Sequence, residues 1–245
     1  MSILRIYCPN HTLQPGMLTL DTKASHHVLH VLRLRPSQPL ILFNGRGGEY
    51  LAQLAKIEQK SAIIEVKSYQ DPVRESCLDI TLGQAISRGD RMDYTIQKAV
   101  ELGVKHIVPL FSERCTVKLP NDRLQKKQHH WQNVIISACE QSGRCFIPKL
   151  SAPQPLHEWL KHPFPGRKWV CDPDTTASLK AQPSPDTTQP MTLLIGPEGG
   201  LAPAEIDLAH QVGFLSLSLG PRILRTETAA IVATTLLQSR WGDID

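Results

Sequence analysis

From Leu78 to the end of the chain, short apolar runs alternate with amphipathic helical stretches, and two of the runs stop at a glycine–proline pair. Strands are expected at Leu78–Gln84, His106–Phe111, Lys168–Cys171, Met191–Ile195 and Phe214–Leu219. Helices are expected at Arg91–Leu102, from Asn121 or Asp122 to Ser142, at Pro203–Gln211 and at Glu227–Ser239. Asp90 and Thr226 stand where they can cap the first and last of these helices, and Gly103 and Gly143 follow the first and second as stops. Strand–helix alternation builds an α/β domain on a largely parallel sheet, which binds ligands at the carboxyl ends of its strands.

The first seventy residues follow a different period. Leu40–Phe43, Glu49–Ile57 and Ala62–Tyr69 read as strands, with Asn44-Gly45-Arg46-Gly47-Gly48 as a turn. One helix, Ala24–Leu34, is expected to bury Val28, Val31 and Leu32. This is the pattern of a small β-barrel with one helix. Asp71–Glu75 marks the boundary, giving domains 1–72 and 76–245.

The 27 Lys/Arg and 23 Asp/Glu leave +4, unevenly placed. Residues 1–74 hold nine basic against five acidic residues, 9 − 5 = +4, and His11, His26, His27 and His30 as well. A basic excess on a small barrel fits a module that touches nucleic acid. Six cysteines without a C-x-x-C pair argue against zinc, and scattered thiols fit a reducing cytoplasm. Cys139 and Cys145 read as structural thiols. No apolar run nears the roughly 20 residues of a membrane span, and the amino terminus lacks the apolar core of a secretory signal. Residues 181–190, rich in proline, read as a flexible loop.

Chemistry is expected at the two glycine–proline loops. Gly196-Pro197-Glu198-Gly199-Gly200-Leu201 exposes backbone groups to a closely approaching ligand, although a tight structural connection would use the same residues. Gly220-Pro221-Arg222-Ile223-Leu224-Arg225-Thr226-Glu227 sets two arginines beside apolar residues at the start of the last helix, a lining for a cofactor pocket with an anionic substrate nearby. There is no G-x-x-x-x-G-K-[ST], G-x-G-x-x-G, H-E-x-x-H or G-x-S-x-G, so P-loop, dinucleotide-binding and hydrolase readings lack support.

Gly89-Asp90-Arg91-Met92-Asp93 through Ala99, Glu101-Leu102-Gly103-Val104, Glu140–Arg144, Ile195–Leu201 and Leu219–Ala229 closely resemble the ribosomal RNA small subunit methyltransferase E family, the bacterial uracil-N3 methyltransferases. His26-His27, Val31–Arg33 and Asn44–Gly47 extend the resemblance over nearly the whole chain. It implies an amino-terminal PUA-like barrel, a SPOUT α/β domain with a carboxyl-terminal trefoil knot, a homodimer, no metal and no membrane. It also implies S-adenosylmethionine as cofactor and one uridine of 16S rRNA, in the small subunit, as substrate.

Carried over, the cofactor site is Ile195, Gly196, Gly200, Leu219, Gly220, Ile223 and Leu224, with a third wall at Cys171-Asp172. Arg222 is the candidate for stabilising a uracil anion, and Glu198 is either a base, an orienting group or a tie within its own loop. Arg225 and Glu227 are expected to pair. RNA contacts are expected from Arg5, His26, Arg33 and Arg46 in the barrel and from Arg88 and Arg91 in the second domain. Leu201-Ala202 and Val100 depart lightly from the family pattern, at positions without an obvious chemical duty. Two rivals remain: a related SPOUT enzyme that methylates a ribose 2′-hydroxyl, and an assembly factor that only binds RNA.

Overall fold

The computed structural model describes residues 3–116, 121–179, 182–183 and 189–245. The chain packs as two units, Met1–Glu75 with Cys139–Ile147, and Ser76–Ala138 with Pro148–Asp245.

The first unit is a mixed five-stranded sheet. Its strands are β1 (Leu4–Tyr7), β2 (Gly16–Thr19), β3 (Pro39–Phe43), β4 (Glu49–Glu58) and β5 (Ser61–Gln70), in the order β1-β3-β4-β5-β2. β1 runs parallel to β3 and the other pairs are antiparallel; among the described residues no ladder joins β1 to β2. Leu42, Leu54, Ile64 and Val66 alternate inward with Ile6 and Val28 to form the core.

The expected helix is shorter and changes pitch. α1 (Thr22–His26) is capped by Asp21, whose Oδ1 accepts the Ala24 N–H at 2.8 Å. A π-helical turn follows over His27–Val31, closed by Leu32 N–H to the His27 carbonyl at 2.9 Å. The wider turn rotates the apolar stripe, so Val28 and Leu34 are buried while Val31, expected inside, is exposed.

Residues Cys139–Ile147, which the sequence assigns to the second domain, pack with the first unit. Charge explains this. The Glu75 carboxylate accepts the N–H groups of Cys145 and Phe146 and pairs with Arg144, and Glu140 accepts the Tyr7 N–H at 3.0 Å. Glu75, read as the end of a linker, is an anchor.

The second unit is a parallel seven-stranded sheet, ordered β12-β10-β11-β6-β7-β8 with β9 also on β7. The strands are β6 (Ile80–Ala85), β7 (His106–Phe111), β8 (Lys149–Leu150), β9 (Gln154–Pro155), β10 (Arg167–Cys171), β11 (Met191–Ile195) and β12 (Leu215–Leu217). The helices are α2 (Arg91–Glu101), α3 (Asn121–Ser142), α4 (Leu156–Trp159), α5 (Pro203–Gln211) and α6 (Thr226–Trp241). β11 is buried at all five positions because helices cover both faces of a parallel sheet. Val108, Leu194, Trp159 and Phe214 make one core cluster, in which the rings of Trp159, Phe164 and Phe214 meet edge-on or tilted.

Two expected caps are not made. Asp90 has helical backbone (φ −80°, ψ −4°), which does not aim a carboxylate at the first free N–H groups, and it makes no capping bond. Thr226 is the first residue of α6 rather than its cap, and its hydroxyl is used elsewhere. The α3 cap falls at residues 120–121, outside what the structure describes at side-chain level.

Candidate active site

β11 delivers Ile195 at its carboxyl end, and its register against β6 and β10 fixes where the next loop begins. β12 leads likewise into the second loop, which ends at α6. Parallel pairing therefore brings both glycine–proline loops to one edge of the sheet. They enclose a cavity of about 340 Å³. All seven candidate cofactor residues line it: Ile195, Gly196, Gly200, Leu219, Gly220, Ile223 and Leu224. Arg222, Glu198, Cys171 and Asp172 line it too.

Gly220 needs its freedom: its φ is +101°, and a β-carbon there would meet nothing within 4 Å, so the backbone faces open space. Gly196 is different. A β-carbon there would lie 3.0 Å from the Leu201 nitrogen and 3.2 Å from the Gly200 carbonyl carbon. Its lack of a side chain lets the loop close on itself, rather than clearing the cavity as the sequence alone would imply.

A buried relay supports that loop. The Thr226 hydroxyl donates to the Gly196 carbonyl at 2.6 Å and accepts from Gln84 Nε2 at 2.9 Å. Gln84 and Thr226 are both buried, so the start of α6 and the end of β6 are locked to the cavity wall.

Glu198 joins this cavity to a second, open cleft lined by Arg88, Gly89, Asp90, Arg91 and Thr116. Its Oε1 accepts the Arg88 N–H at 3.0 Å and pairs with Arg91 Nη1 at 3.0 Å. Burial pushes its carboxyl up, but the N–H groups of Arg88 and of Glu198 itself, with the Arg91 guanidinium, outweigh burial and hold it below its ordinary value. The carboxylate is thereby tied to the Arg88 backbone and the Arg91 guanidinium. Arg88 Nε donates to Thr116 Oγ1 at 2.6 Å. Arg88 and Arg91 are thus exposed but held in place.

Thr226, read from the sequence as a helix cap, also lines the cavity, and so does Arg114, which carried no motif. Arg114, in the turn after β7, donates to the Gly199 carbonyl at 3.2 Å. The rule that sites gather at strand ends applied to β7 as well and could have found it. Among the described residues no ion pair joins Arg225 to Glu227, and Glu227 Oε2 is buried without a hydrogen-bond partner.

Of the RNA-contact candidates in the first unit, His26, Arg33 and Arg46 are exposed. Arg5 is not. It is 9% exposed, paired with Glu49, and donates to the Arg144 carbonyl at 2.9 Å. It is a structural cation of the first unit, because its strand position faces the buried Glu49 on β4. Among the described residues no group of three or more His, Cys, Asp or Glu side chains could hold a metal, and no helix is long and apolar enough to cross a membrane.

Residues 74–238 match the model of an RNA methyltransferase domain, and residues 20–67 that of an RNA methyltransferase PUA domain. Ribosomal RNA small subunit methyltransferase E of Buchnera aphidicola is 37% identical, the alignment covering 99% of this chain and 98% of the relative. A Legionella pneumophila structure in complex with the bound cofactor SAM is 43% identical at a TM-score of 0.93, with both chains covered completely. A ribosomal RNA small subunit methyltransferase E from Neisseria gonorrhoeae bound to S-adenosyl methionine is 38% identical at a TM-score of 0.91, again with complete coverage. With identity of this order over its whole length and both family models in sequence, this chain belongs to the ribosomal RNA small subunit methyltransferase E family.

Proposed function

We propose that this protein transfers a methyl group from S-adenosylmethionine to N3 of one uridine in 16S rRNA of the small ribosomal subunit. The observation that carries the reading is the single cavity in which both glycine–proline loops meet, with Glu198 reaching from it to two arginines.

The cavity suits the cofactor. Leu201, Leu219 and Ala229 offer apolar surface for an adenine, and the loop backbones offer donors and acceptors at close range. Asp172, Asp174 and Glu198 supply negative charge toward a sulfonium, while Arg114 can face a carboxylate. S-adenosylmethionine, when bound, supplies a methyl group activated on a sulfonium.

The chain's own residues do the rest. Uracil N3 carries a proton and becomes nucleophilic when that proton leaves, with the charge spreading to O2 and O4. Arg222, exposed at the cavity rim, stabilises that charge and eases loss of the proton to water. Glu198 fixes Arg88 and Arg91, which receive the RNA backbone beside the reacting base. Positioning dominates, because transfer needs N3 in line with the breaking bond.

Closure of the five-stranded sheet into a PUA-like barrel, a trefoil knot near α6 and domain limits at 1–72 and 76–245 belong to the same reading. So do a homodimer and a cytoplasmic location. Ile223, 91% exposed at the cavity rim, is a side chain that a second copy would cover, and none of the six cysteines is in a disulfide.

Calorimetry and turnover on Arg222→Ala test the assignment. Cofactor affinity should stay within a few-fold while methyl transfer to small subunits falls by about 100-fold or more, the usual cost of one charge-stabilising donor. Loss of cofactor binding would instead place Arg222 in the cofactor shell.

A further inference from the structure

The first unit carries an exposed aromatic surface that the chemistry of the cavity does not use. Residues Cys145–Ile147 pair antiparallel with the Asn44–Gly48 turn: Gly47 N–H donates to the Cys145 carbonyl at 3.2 Å, and Ile147 N–H to the Gly45 carbonyl at 3.4 Å. Arg46 and Phe146 are direct cross-strand partners, so their side chains share a face.

Glycine brings rings onto this turn. A β-carbon at Gly47 would lie 2.7 Å from Phe146 Cζ, and one at Gly48 only 2.2 Å from Tyr69 Cε2. The Phe146 and Tyr69 rings therefore lie directly against two consecutive glycines. Both nevertheless stay about half open, at 49% and 52% exposure. Tyr50 extends the row, its ring centroid 5.2 Å from that of Tyr69.

The row is braced from below. Glu75 accepts the Phe146 N–H and pairs with Arg144, while Glu49 takes both Arg5 and Arg74. Arg74 also reaches the Gly143 carbonyl at 3.3 Å. An anchored backbone presenting half-open rings beside an exposed arginine is a preorganised arrangement. The net charge of the unit has the matching sign: residues 1–75 and 139–147 hold ten Lys/Arg and seven Asp/Glu, 10 − 7 = +3.

We propose that Phe146 and Tyr69, laid over Gly47 and Gly48 beside Arg46, form a stacking platform for unpaired nucleotides of the RNA substrate. The rings take base faces, and Arg46 takes the adjoining phosphate. The platform rests on the reading of the chain as an RNA methyltransferase and adds residues outside the cavity. Stacking is tolerant of sequence, so this surface holds unpaired RNA, and selection of the target uridine stays with the cavity.

The test is binding of a labelled uridine-rich single-stranded RNA to the full-length protein, followed by anisotropy at several salt concentrations. Phe146→Ala and Tyr69→Ala should each weaken binding by about 5- to 150-fold with the salt slope unchanged. Phe146→Trp and Tyr69→Phe should restore it. Arg46→Ala should lower the salt slope by about one. S-adenosylmethionine affinity, measured by calorimetry, should hold in every variant and so certify folding.

Equal binding by wild type and both alanine variants overturns the platform and leaves the methyltransferase reading standing. Loss in Phe146→Trp as severe as in Phe146→Ala makes the ring structural and overturns it as well. A raised KM for whole subunits with unchanged oligonucleotide binding would point to a protein contact instead. Normal single-strand binding without any methyl transfer by the wild type would overturn the activity and not the platform.

Discussion

Thr226→Val exchanges a hydroxyl for a methyl group of nearly the same shape, at a residue only 4% exposed. Two hydrogen bonds go with it, 2.6 Å to the Gly196 carbonyl and 2.9 Å from Gln84 Nε2. Gln84 Nε2 keeps a second acceptor, the Ala85 carbonyl at 2.9 Å, so its share of the loss is small, about 0.5–1 kcal/mol. The Gly196 carbonyl loses its anchor beside a cavity that can admit water, at about 1–2 kcal/mol. The sum is about 1.5–3 kcal/mol of stability, or roughly 3–12 °C in Tm for a chain of this size. The same release lets the first loop shift, and cofactor affinity should fall about 5- to 30-fold, equivalent to 1–2 kcal/mol. Urea denaturation and calorimetric titration with S-adenosylmethionine measure the two losses, and Thr226→Ser should recover both. Unchanged affinity in a properly folded valine variant would refute the claim that this relay positions the cavity wall.

Gly196→Val should abolish cofactor binding by forcing the loop open against Leu201 and Gly200; calorimetry checks the binding, and a change in loop proteolysis should accompany its loss. Arg91→Ala should raise the Glu198 carboxyl toward its ordinary value and weaken methyl transfer more than cofactor binding, as read from a KM-against-kcat split and from carboxyl titration by NMR. His106 is held below its ordinary value, first by burial and then by Lys149. The unfolded chain then binds the extra proton, so its contribution to stability is present above about pH 6.5 and is lost as pH falls through the depressed folded value. Denaturation of His106→Gln at a series of pH values should show a flatter slope below about pH 6.5 than the wild type.

Much of the second unit was legible because its residues carry the period of their elements. His106–Phe111, Met191–Ile195 and Pro203–Gln211 stand where the apolar spacing puts them, and the two glycine–proline loops meet because parallel strands share one carboxyl edge. What escaped depends on contacts distant in sequence. Arg5 looks like any solvated cation until Glu49, 44 positions away, faces it across the sheet. Cys139–Ile147 begins in the last turn of α3, whose earlier residues belong to the second unit, but Glu75 and Tyr7 draw it to the first. Val31 turned outward because a π-helical turn adds a residue that no 3.6-residue spacing anticipates. Thr226 looked like a cap, and no local pattern told that Gly196 and Gln84 would claim its hydroxyl.

The most direct test of the central claim uses purified protein, labelled S-adenosylmethionine and small ribosomal subunits from cells lacking the enzyme, with the RNA digested to nucleosides and the labelled product identified by mass spectrometry. Transfer to N3 of a uridine predicts the label in 3-methyluridine alone. Label in a 2′-O-methylated nucleoside would overturn the acceptor. No label, together with no measurable cofactor binding, would contradict the enzyme and favour a protein that only binds RNA.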